Sequence, residues 1–223
     1  MSSSTVDSIL ESIRRRGFVT CRASAIDDSL IADSLRIVRA DYAPLSSALD
    51  NKRIPWHNEQ LYSTTPPSFV CLICRQIGDG GRTLLLDAAD AAVRLTEIRA
   101  LEGVVLRHRK RERSATHALI CRHPTTGVRV LSYREGRSED LAITAAPRGV
   151  EKHWLRGYVT SSLQLMHDSV YAHSWTPGEV LIIDNYRCLH AREAYTGERQ
   201  MERILLWSQP ECEDAPHVRS RTP

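Results

Sequence analysis

Residues 175–207 of the chain read WTPGEVLIIDNYRCLHAREAYTGERQMERILLW, and this stretch decides the fold class. The turn residues Pro177-Gly178 come just before the apolar run 180–183, and Thr196-Gly197 come before a second apolar run at 204–207. Short apolar runs that are bounded by proline and glycine predict β-strands rather than helices.

Further apolar runs of similar length lie upstream, at 69–74, 83–86, 103–106 and 128–132. Turn residues rich in glycine and proline separate several of them. Many short strands with turns between them are typical of a β-sandwich or a β-barrel. We therefore expect a mainly β fold.

Helical periodicity flanks the β-rich region. Apolar residues recur at a spacing of three to four over about 6–16, 28–38, 88–101 and 150–171. Gly17 is a C-terminal stop for the first helix. Asp27 or Asp28 can cap the second helix, whose apolar positions run as far as Val38. We expect these helices to flank the strands.

The bulk composition fits one globular domain. Of the 223 residues 42% are hydrophobic, enough for a packed core. The formal charge of +3 is too small to indicate a polyanionic partner. The six cysteines are scattered and no signal segment opens the chain, so we expect reduced thiols and a cytoplasmic protein. Cys71 and Cys74 form a C-x-x-C, but their apolar surroundings favour a buried strand over a redox or zinc site.

The candidate chemistry starts at His57-Asn58-Glu59. In an extended segment residues i and i+2 point to the same face, so both outer side chains can reach one ion. His190 follows the run at 180–183 and can supply a third ligand. Two imidazoles and one carboxylate leave three positions open on a metal ion, which suits non-haem iron(II). Taken alone, H-x-E is a weak signal, because nine histidines in the chain make ordinary polar roles as good a reading.

Two further features favour a site. Gly80-Gly81 forms a turn that enters a strand, where the hydroxyl of Thr83 can point inward. Arg203 lies thirteen residues after His190 and enters another strand, where its guanidinium can hold a dicarboxylate.

Two segments then carry a family resemblance: WHNEQLYSTTPPSFVCLICRQIGDGGRTLLLD (56–87) and the stretch 175–207 quoted above, with HPTTGVRVL (123–131) as a weaker match. The chain resembles the clavaminate synthase-like branch of the taurine dioxygenase superfamily of iron(II)- and 2-oxoglutarate-dependent oxygenases. Within that branch it looks most like the syringomycin-type aspartyl hydroxylases.

The resemblance, which covers about 54–207, implies a double-stranded β-helix (jelly roll) with helices outside it. From the length of the chain we expect a single domain over 1–223. The helical part would cover 1–50, the jelly-roll core about 54–208, and a loose tail 211–223. It also implies an oxygenase that uses iron(II), 2-oxoglutarate and O₂ to hydroxylate, desaturate or cyclise an amino acid or a molecule derived from one. Natural-product biosynthesis is the expected setting.

Carried over position by position, the resemblance makes His57, Glu59 and His190 the iron ligands. Arg203 would bind the distal carboxylate of 2-oxoglutarate with support from Thr83, and Arg199 is a second candidate for that ion pair. Because Glu59 occupies the position that halogenating relatives leave open for chloride, oxygen chemistry is expected. Five residues are candidate substrate contacts: Asn58, Tyr62, Arg82, Arg192 and His123.

Two departures from the family pattern bear on the pocket. Only 56 residues precede His57, so we expect part of the usual substrate wall to be absent, with the site either more open or completed by another subunit. Arg82 stands where relatives often carry an acid, and we weigh a solvent-facing and a substrate-reading role equally.

Two alternative functions remain at this stage. One is a jelly-roll protein that binds another metal or a small anion without 2-oxoglutarate turnover. The other is an oxidative demethylase of nucleic acids, suggested by the basic run at 107–113. Glu112 interrupts that run, so a solvated strand end is favoured. We expect a small-molecule substrate and neither a nucleic-acid nor a membrane partner.

Overall fold

The computed structural model describes residues 3–25, 28–46, 51–97, 101–135 and 140–209. Its helices are α1 (Ser3–Arg16), α2 (Asp28–Ser34), α3 (Ala88–Leu95) and α4 (Lys152–Gln164). Its strands up to α3 are β1 (Phe18–Arg22), β2 (Ile37–Ser46), β3 (Ile54–His57), β4 (Phe69–Gln76), β5 (Asp79–Gly80) and β6 (Thr83–Asp87). Between α3 and α4 lie β7 (Val105–Lys110), β8 (Arg113–Ala118), β9 (Ile120–Arg122), β10 (Arg129–Leu131) and β11 (Leu141–Ala145). After α4 come β12 (Tyr171–His173), β13 (Glu179–Asp184), β14 (Cys188–Arg192), β15 (Tyr195–Thr196) and β16 (Gln200–Ser208).

Two antiparallel sheets form the body of the fold. The larger sheet has the strand order β1-β13-β4-β16-β2, and the smaller sheet has the order β12-β6-β14-β3. The chain passes from one sheet to the other between β3 and β4, and again from β12 through β13 to β14. This alternation is the topology of a jelly roll. The mainly β fold expected from the sequence is therefore confirmed.

The interior between the sheets is apolar. Val70 and Leu181 of the larger sheet pack in one buried cluster with Leu85 and Cys188 of the smaller sheet. A second cluster lies where α1 packs on the outside of the larger sheet, and a third lies around α3 and α4. Because successive residues of a strand face opposite sides, each sheet is apolar on both faces wherever a helix covers it.

The C-x-x-C segment lies in β4, as the sequence analysis favoured. Cys74 belongs to the cluster between the sheets, whereas Cys71 belongs to the cluster under α1. Both thiols are buried, and neither takes part in a disulfide. Residues three apart in a strand face opposite ways, which excludes a shared metal between these two thiols.

The N-terminal region departs from the helical expectation. α2 ends at Ser34, and Arg36 adopts a left-handed conformation with φ 54°. Val38, expected on a helix, lies instead in β2 at the edge of the larger sheet. β1 adds a further strand to residues 1–50. Pairing with a sheet replaces helical periodicity here because β16 and β13 offer partners that are remote in sequence.

The other helices are shorter than the periodicity predicts. α3 ends at Leu95, and α4 ends at Gln164, before a single 3-10 turn and β12. Asp27 and the tail 211–223 lie outside the described residues. Within the described parts of the chain, no helix is long and apolar enough to cross a membrane.

Candidate active site

Three side chains that can ligate a metal ion meet beside the smaller sheet. His57 ends β3 and pairs directly with His190 of β14, with ring centroids 4.2 Å apart. Glu59 follows two residues after His57. One ligand atom from each of the three residues lies within 4.8 Å of the others. The sequence separates His57 from His190 by more than half of the chain, and the antiparallel register of β3 and β14 brings them together.

Burial favours the neutral form of the two imidazoles, which is the form that binds a cation. Burial lowers the pKa of His57, with opposing contributions led by Glu59, and burial lowers the pKa of His190 still further. His57 Nδ1 lies 2.9 Å from the carbonyl oxygen of Pro55, which accepts its proton and leaves Nε2 free to ligate. Two neutral imidazoles and one carboxylate on one face fit iron(II).

Glu59 is also in contact with a cation of the protein. Arg203 donates a hydrogen bond from Nη1 to Glu59 Oε2 at 3.0 Å. Glu59 is buried, with 8% of its surface exposed. The contact uses one carboxylate oxygen. The structure therefore places Arg203, which was expected to hold the distal carboxylate of a co-substrate, next to the ligand group itself.

A cavity of about 210 Å³ opens beside the three ligands. Its apolar wall comes from both sheets: Ile54, Val70, Leu72 and Met201. Its polar lining includes Thr83 and the three arginines Arg192, Arg199 and Arg203. Apolar walls with a few converging charged groups are typical of a small-molecule site, and the excess of arginine suits an anion.

Arg199 is the deepest cation of this lining. It is 4% exposed, and its Nη1 atom has no hydrogen-bond partner among the described residues. Burial lowers the pKa of its guanidinium, and its charge lies 5.2 Å from the ring centre of Tyr195. A buried guanidinium without a carboxylate is costly, so the cavity is prepared for an anionic group at this end.

The glycine turn explains how Arg199 fits. Gly81 has φ 69°, and a Cβ atom at this position would lie 3.1 Å from Arg199 Nη1 and 2.9 Å from Tyr195 Cβ. Only glycine combines this backbone conformation with this close approach. The turn was expected to aim Thr83 inward, and it also makes room for Arg199.

Thr83 is buried and lines the same cavity. Its Oγ1 accepts a hydrogen bond of 3.0 Å from Trp175 Nε1, so the hydroxyl proton is left to donate elsewhere. Trp175 was read from the sequence only as part of a turn. Apart from its position before β13, nothing in the sequence indicates that the indole of Trp175 orients a hydroxyl of the cavity.

Two candidate substrate contacts lie away from the cavity. Asn58 is 3% exposed, and its side-chain amide forms hydrogen bonds with backbone groups of Tyr133, Asn185 and Cys188. His123 Nε2 pairs with Asp184 Oδ2 at 2.9 Å in a buried contact. The sequence could not show these orientations because each depends on a partner more than sixty residues away.

The other three candidates differ in their surroundings. Arg82 forms a paired contact with Glu193 at 2.7 and 2.6 Å on the surface. Arg192 lines the cavity, and its Nη2 donates to the carbonyl oxygen of Lys52 at 2.6 Å. The ring of Tyr62 is buried and is surrounded by cations. The solvent-facing alternative for Arg82 is the one that the geometry favours.

Fold and site together define a class: a jelly-roll protein with a His-x-Glu…His set that can ligate a metal ion, beside an arginine-lined cavity. The model of the taurine catabolism dioxygenase TauD, TfdA family matches residues 31–205. The chain therefore belongs to the TauD/TfdA family, which confirms the superfamily expected from the motifs. The narrower likeness to syringomycin-type hydroxylases stays a prediction.

Curated relatives share a quarter to a third of their residues with the chain. It is 29% identical over 189 residues to the tyrosine isonitrile desaturase of Pseudomonas aeruginosa, covering 75% of this chain and 64% of that protein. It is 29% identical over 181 residues to the mitochondrial trimethyllysine dioxygenase of Bos taurus, covering 73% of this chain and 41% of that protein. The chain thus spans less than two thirds of the length of these relatives.

Solved structures of low sequence identity share the fold. The PvcB protein of Pseudomonas aeruginosa superposes with a TM-score of 0.70 at 22% identity, over 91% of this chain and 79% of that one. AAD-2 in complex with Mn(II) and N-oxalylglycine superposes with a TM-score of 0.73 at 17% identity, over 94% and 92% of the two chains. The jelly-roll architecture is confirmed by these likenesses.

Proposed function

We propose that the protein is an iron(II)- and 2-oxoglutarate-dependent dioxygenase that oxidises an unactivated C–H bond of a small molecule derived from an amino acid. The observation that carries the proposal is the position of His57, Glu59 and His190 beside a cavity that ends at a buried arginine. Iron(II) held by these three residues, with 2-oxoglutarate and O₂, supplies an oxidant strong enough to remove hydrogen from such a carbon.

The chain's own residues then bind and orient the co-substrate. Arg199 and Thr83 line the same cavity and hold the distal carboxylate, with the guanidinium as the charge partner and the hydroxyl as a second donor. Arg203 lies beside Glu59 and orients the end of the co-substrate that faces the metal. This assignment favours Arg199, the second candidate of the sequence analysis, for the distal ion pair.

The apolar wall serves a second purpose. Ile54, Leu72 and Met201 exclude water from the space around the ligands, and exclusion of water strengthens every ion pair within it. The protein's share of the reaction is thus to fix the ligand set, orient the carboxylates and keep the cavity dry.

An anionic substrate suits the other side of the ligand set. Arg134 forms a β-bridge opposite His57, so its side chain leaves the sheet on the same face as the ligand. Lys110, Arg113 and Arg134 surround the ring of Tyr62 at 5.0, 5.1 and 5.7 Å from its centre. Three cations around one ring favour a substrate with a carboxylate, as an amino acid or its derivative has.

Relatives support the substrate class and leave the outcome of the reaction open. Desaturation is named for the tyrosine isonitrile desaturase, and an amino acid is named for the trimethyllysine dioxygenase. We propose hydroxylation or desaturation of such a substrate, in natural-product biosynthesis.

We further propose a single oxygenase domain that works in the cytoplasm without nucleic-acid or membrane partners. None of the five cysteines of the described residues takes part in a disulfide, which suits a reducing compartment.

The proposal is tested by succinate release from 2-oxoglutarate. We expect the purified protein to form succinate only with iron(II) and O₂, and the His190→Ala variant to form none. A protein that binds metal but releases no succinate would support the alternative of a metal-binding jelly roll. Release by His190→Ala at the rate of the unaltered protein would overturn the ligand assignment.

A further inference from the structure

Glu59 differs from the two histidines in how the backbone holds it. β3 ends at His57, and the pair His57–His190 is part of the β3–β14 ladder. Glu59 lies beyond the end of this ladder, and Gln60 directly after it has φ 57°, so the chain turns away at once. Strand register therefore fixes the histidines but leaves the carboxylate without a ladder partner.

Asn185 supplies the missing restraint. Its Oδ1 accepts from the backbone N–H of Glu59 at 2.7 Å, and its Nδ2 donates to the carbonyl oxygen of Glu59 at 3.1 Å. Nδ2 also donates to the carbonyl oxygen of Pro67 at 2.9 Å. The side-chain amide of Asn185 therefore forms hydrogen bonds with both backbone groups of Glu59, as a neighbouring strand would.

Asn58, which lies next to Glu59, binds the backbone of Asn185 in return. Its Nδ2 donates to the carbonyl oxygen of Asn185 at 2.6 Å, and its Oδ1 accepts from the N–H of Tyr133 at 3.0 Å. Both asparagines are buried, at 3% and 1% exposure. Each oxygen meets an N–H and each nitrogen meets carbonyls, so only one orientation of each amide satisfies the network.

The position of Asn185 in the chain lets these hydrogen bonds connect the segments that bear the metal ligands. Asn185 lies in the turn between β13 and β14, five residues before His190. The two asparagines therefore join the segment that bears His57 and Glu59 to the turn that leads into the third ligand. Groups that hold metal ligands in place from behind affect metal affinity strongly, by roughly ten- to a hundredfold when they are removed.

We propose that Asn185 is a positioning residue for the metal centre, which sets the carboxylate of Glu59 against the two histidines, and that Asn58 supports it. The inference rests on the proposed function, since it requires that the three ligands hold a metal. It gives Asn58, a candidate substrate contact in the sequence, a different role.

The test uses Co(II), whose visible absorption reports the geometry of its ligands, as a stand-in for iron(II). We expect the Asn185→Ala variant to bind Co(II) roughly ten- to a hundredfold more weakly than the unaltered protein, with a changed spectrum. Asn58→Ala removes the supporting half only, so a smaller loss of affinity is expected. Titrations are made well below each variant's thermal midpoint, so that a loss of folding is measured separately.

Arg187→Ala is the matched control. Arg187 belongs to the same turn and binds Asp87 and the carbonyl oxygens of Arg14 and Arg15, but it does not contact Glu59. This variant should lose thermal stability and keep the Co(II) affinity and spectrum. Unchanged affinity and spectrum in both asparagine variants, alongside their loss in His190→Ala, would overturn the positioning role. Equal Co(II) binding by His190→Ala and the unaltered protein would instead overturn the metal centre.

Discussion

Arg199 and Arg203 lie four positions apart and line the same cavity, yet their neighbours differ. Arg203 contacts the carboxylate of Glu59 at 3.0 Å, whereas Arg199 lies behind the glycine turn. Within the described residues, Arg199 Nη1 and Arg203 Nε each lack a hydrogen-bond partner, but only Arg203 has a carboxylate contact through another of its nitrogens. A buried cation without a partner binds an incoming anion at little further cost of desolvation. For this reason we propose Arg199, rather than Arg203, as the partner of the co-substrate's distal carboxylate.

Replacement of Arg199 tests this assignment. We expect Arg199→Gln to raise the KM for 2-oxoglutarate by about thirtyfold or more, because loss of one partner of a buried charge pair costs about 2–5 kcal/mol. Initial rates of succinate formation at varied 2-oxoglutarate give the value. Arg75→Gln is the control, since Arg75 pairs with Glu202 on the surface. A KM in Arg199→Gln equal to that of the control would count against the assignment.

Sequence was informative about ligand identity and weak about orientation. His57, Glu59 and His190 were selected only with the help of the Gly80-Gly81 turn and the family resemblance, and the fold does bring these three residues together. For Asn58 the spacing gave no such guide, because its amide is turned toward a segment that begins more than a hundred residues later. Side-chain direction at the end of a strand depends on contacts that are remote in sequence.

Among the elements, α3 has a start that is determined by residues adjacent in sequence and an end that is not. Asp87 caps it by accepting from the N–H of Ala89 at 2.8 Å, and the same carboxylate pairs with Arg187 before β14. Its start is therefore encoded by adjacent residues and was predictable. Its end at Leu95 was not, because the apolar periodicity continues beyond the last helical residue.

Removal of this cap should lower stability measurably. We expect Asp87→Ala to reduce the free energy of unfolding by about 1–2 kcal/mol for the cap alone, and further for the lost partner of Arg187. Urea denaturation followed by circular dichroism measures the change. Asp79→Ala, in the exposed strand β5, should change the value by less than about 0.5 kcal/mol. A matching loss in both variants would refute the role of the cap.

β-Strand positions were predictable from short apolar runs, but their partners were not. The pairing of β3 with β14 and of β2 with β16 joins segments that are separated by most of the chain. Sequence patterns carry a strand's periodicity and not its register, which is settled by the packing of whole sheets. This explains why residues 37–46 were taken for part of a helical region.

At the scale of the whole molecule, buried histidines couple stability to pH. Burial is the main cause that lowers the pKa of His108 to about 3, with smaller contributions from His117 and Arg134. His57, His173 and His190 are shifted in the same direction. The pKa of His108 is 6.5 in the unfolded chain and about 3 in the folded protein, so between these pH values only the unfolded chain binds the proton. The free energy of unfolding therefore falls as the pH falls from about 6.5 toward 3.

The contribution of His108 can be isolated by substitution. For the metal-free protein we expect His108→Leu to flatten the loss of stability between pH 6.5 and pH 4 by about 3 kcal/mol. Denaturation series at several pH values measure this slope. His167→Leu, at a residue whose side chain is 76% exposed, should keep the original slope. An identical slope in all three proteins would contradict the coupling.

We propose above all that His57, Glu59 and His190 hold iron(II) beside a pocket for 2-oxoglutarate. The most direct measurement is anaerobic visible absorption during addition of iron(II) and then 2-oxoglutarate, because chelation by the oxo acid gives a charge-transfer band that neither component gives alone. We predict that the band appears with the unaltered protein and is absent with His190→Ala. Absence of the band from the unaltered protein, or its full retention in His190→Ala, would contradict the claim.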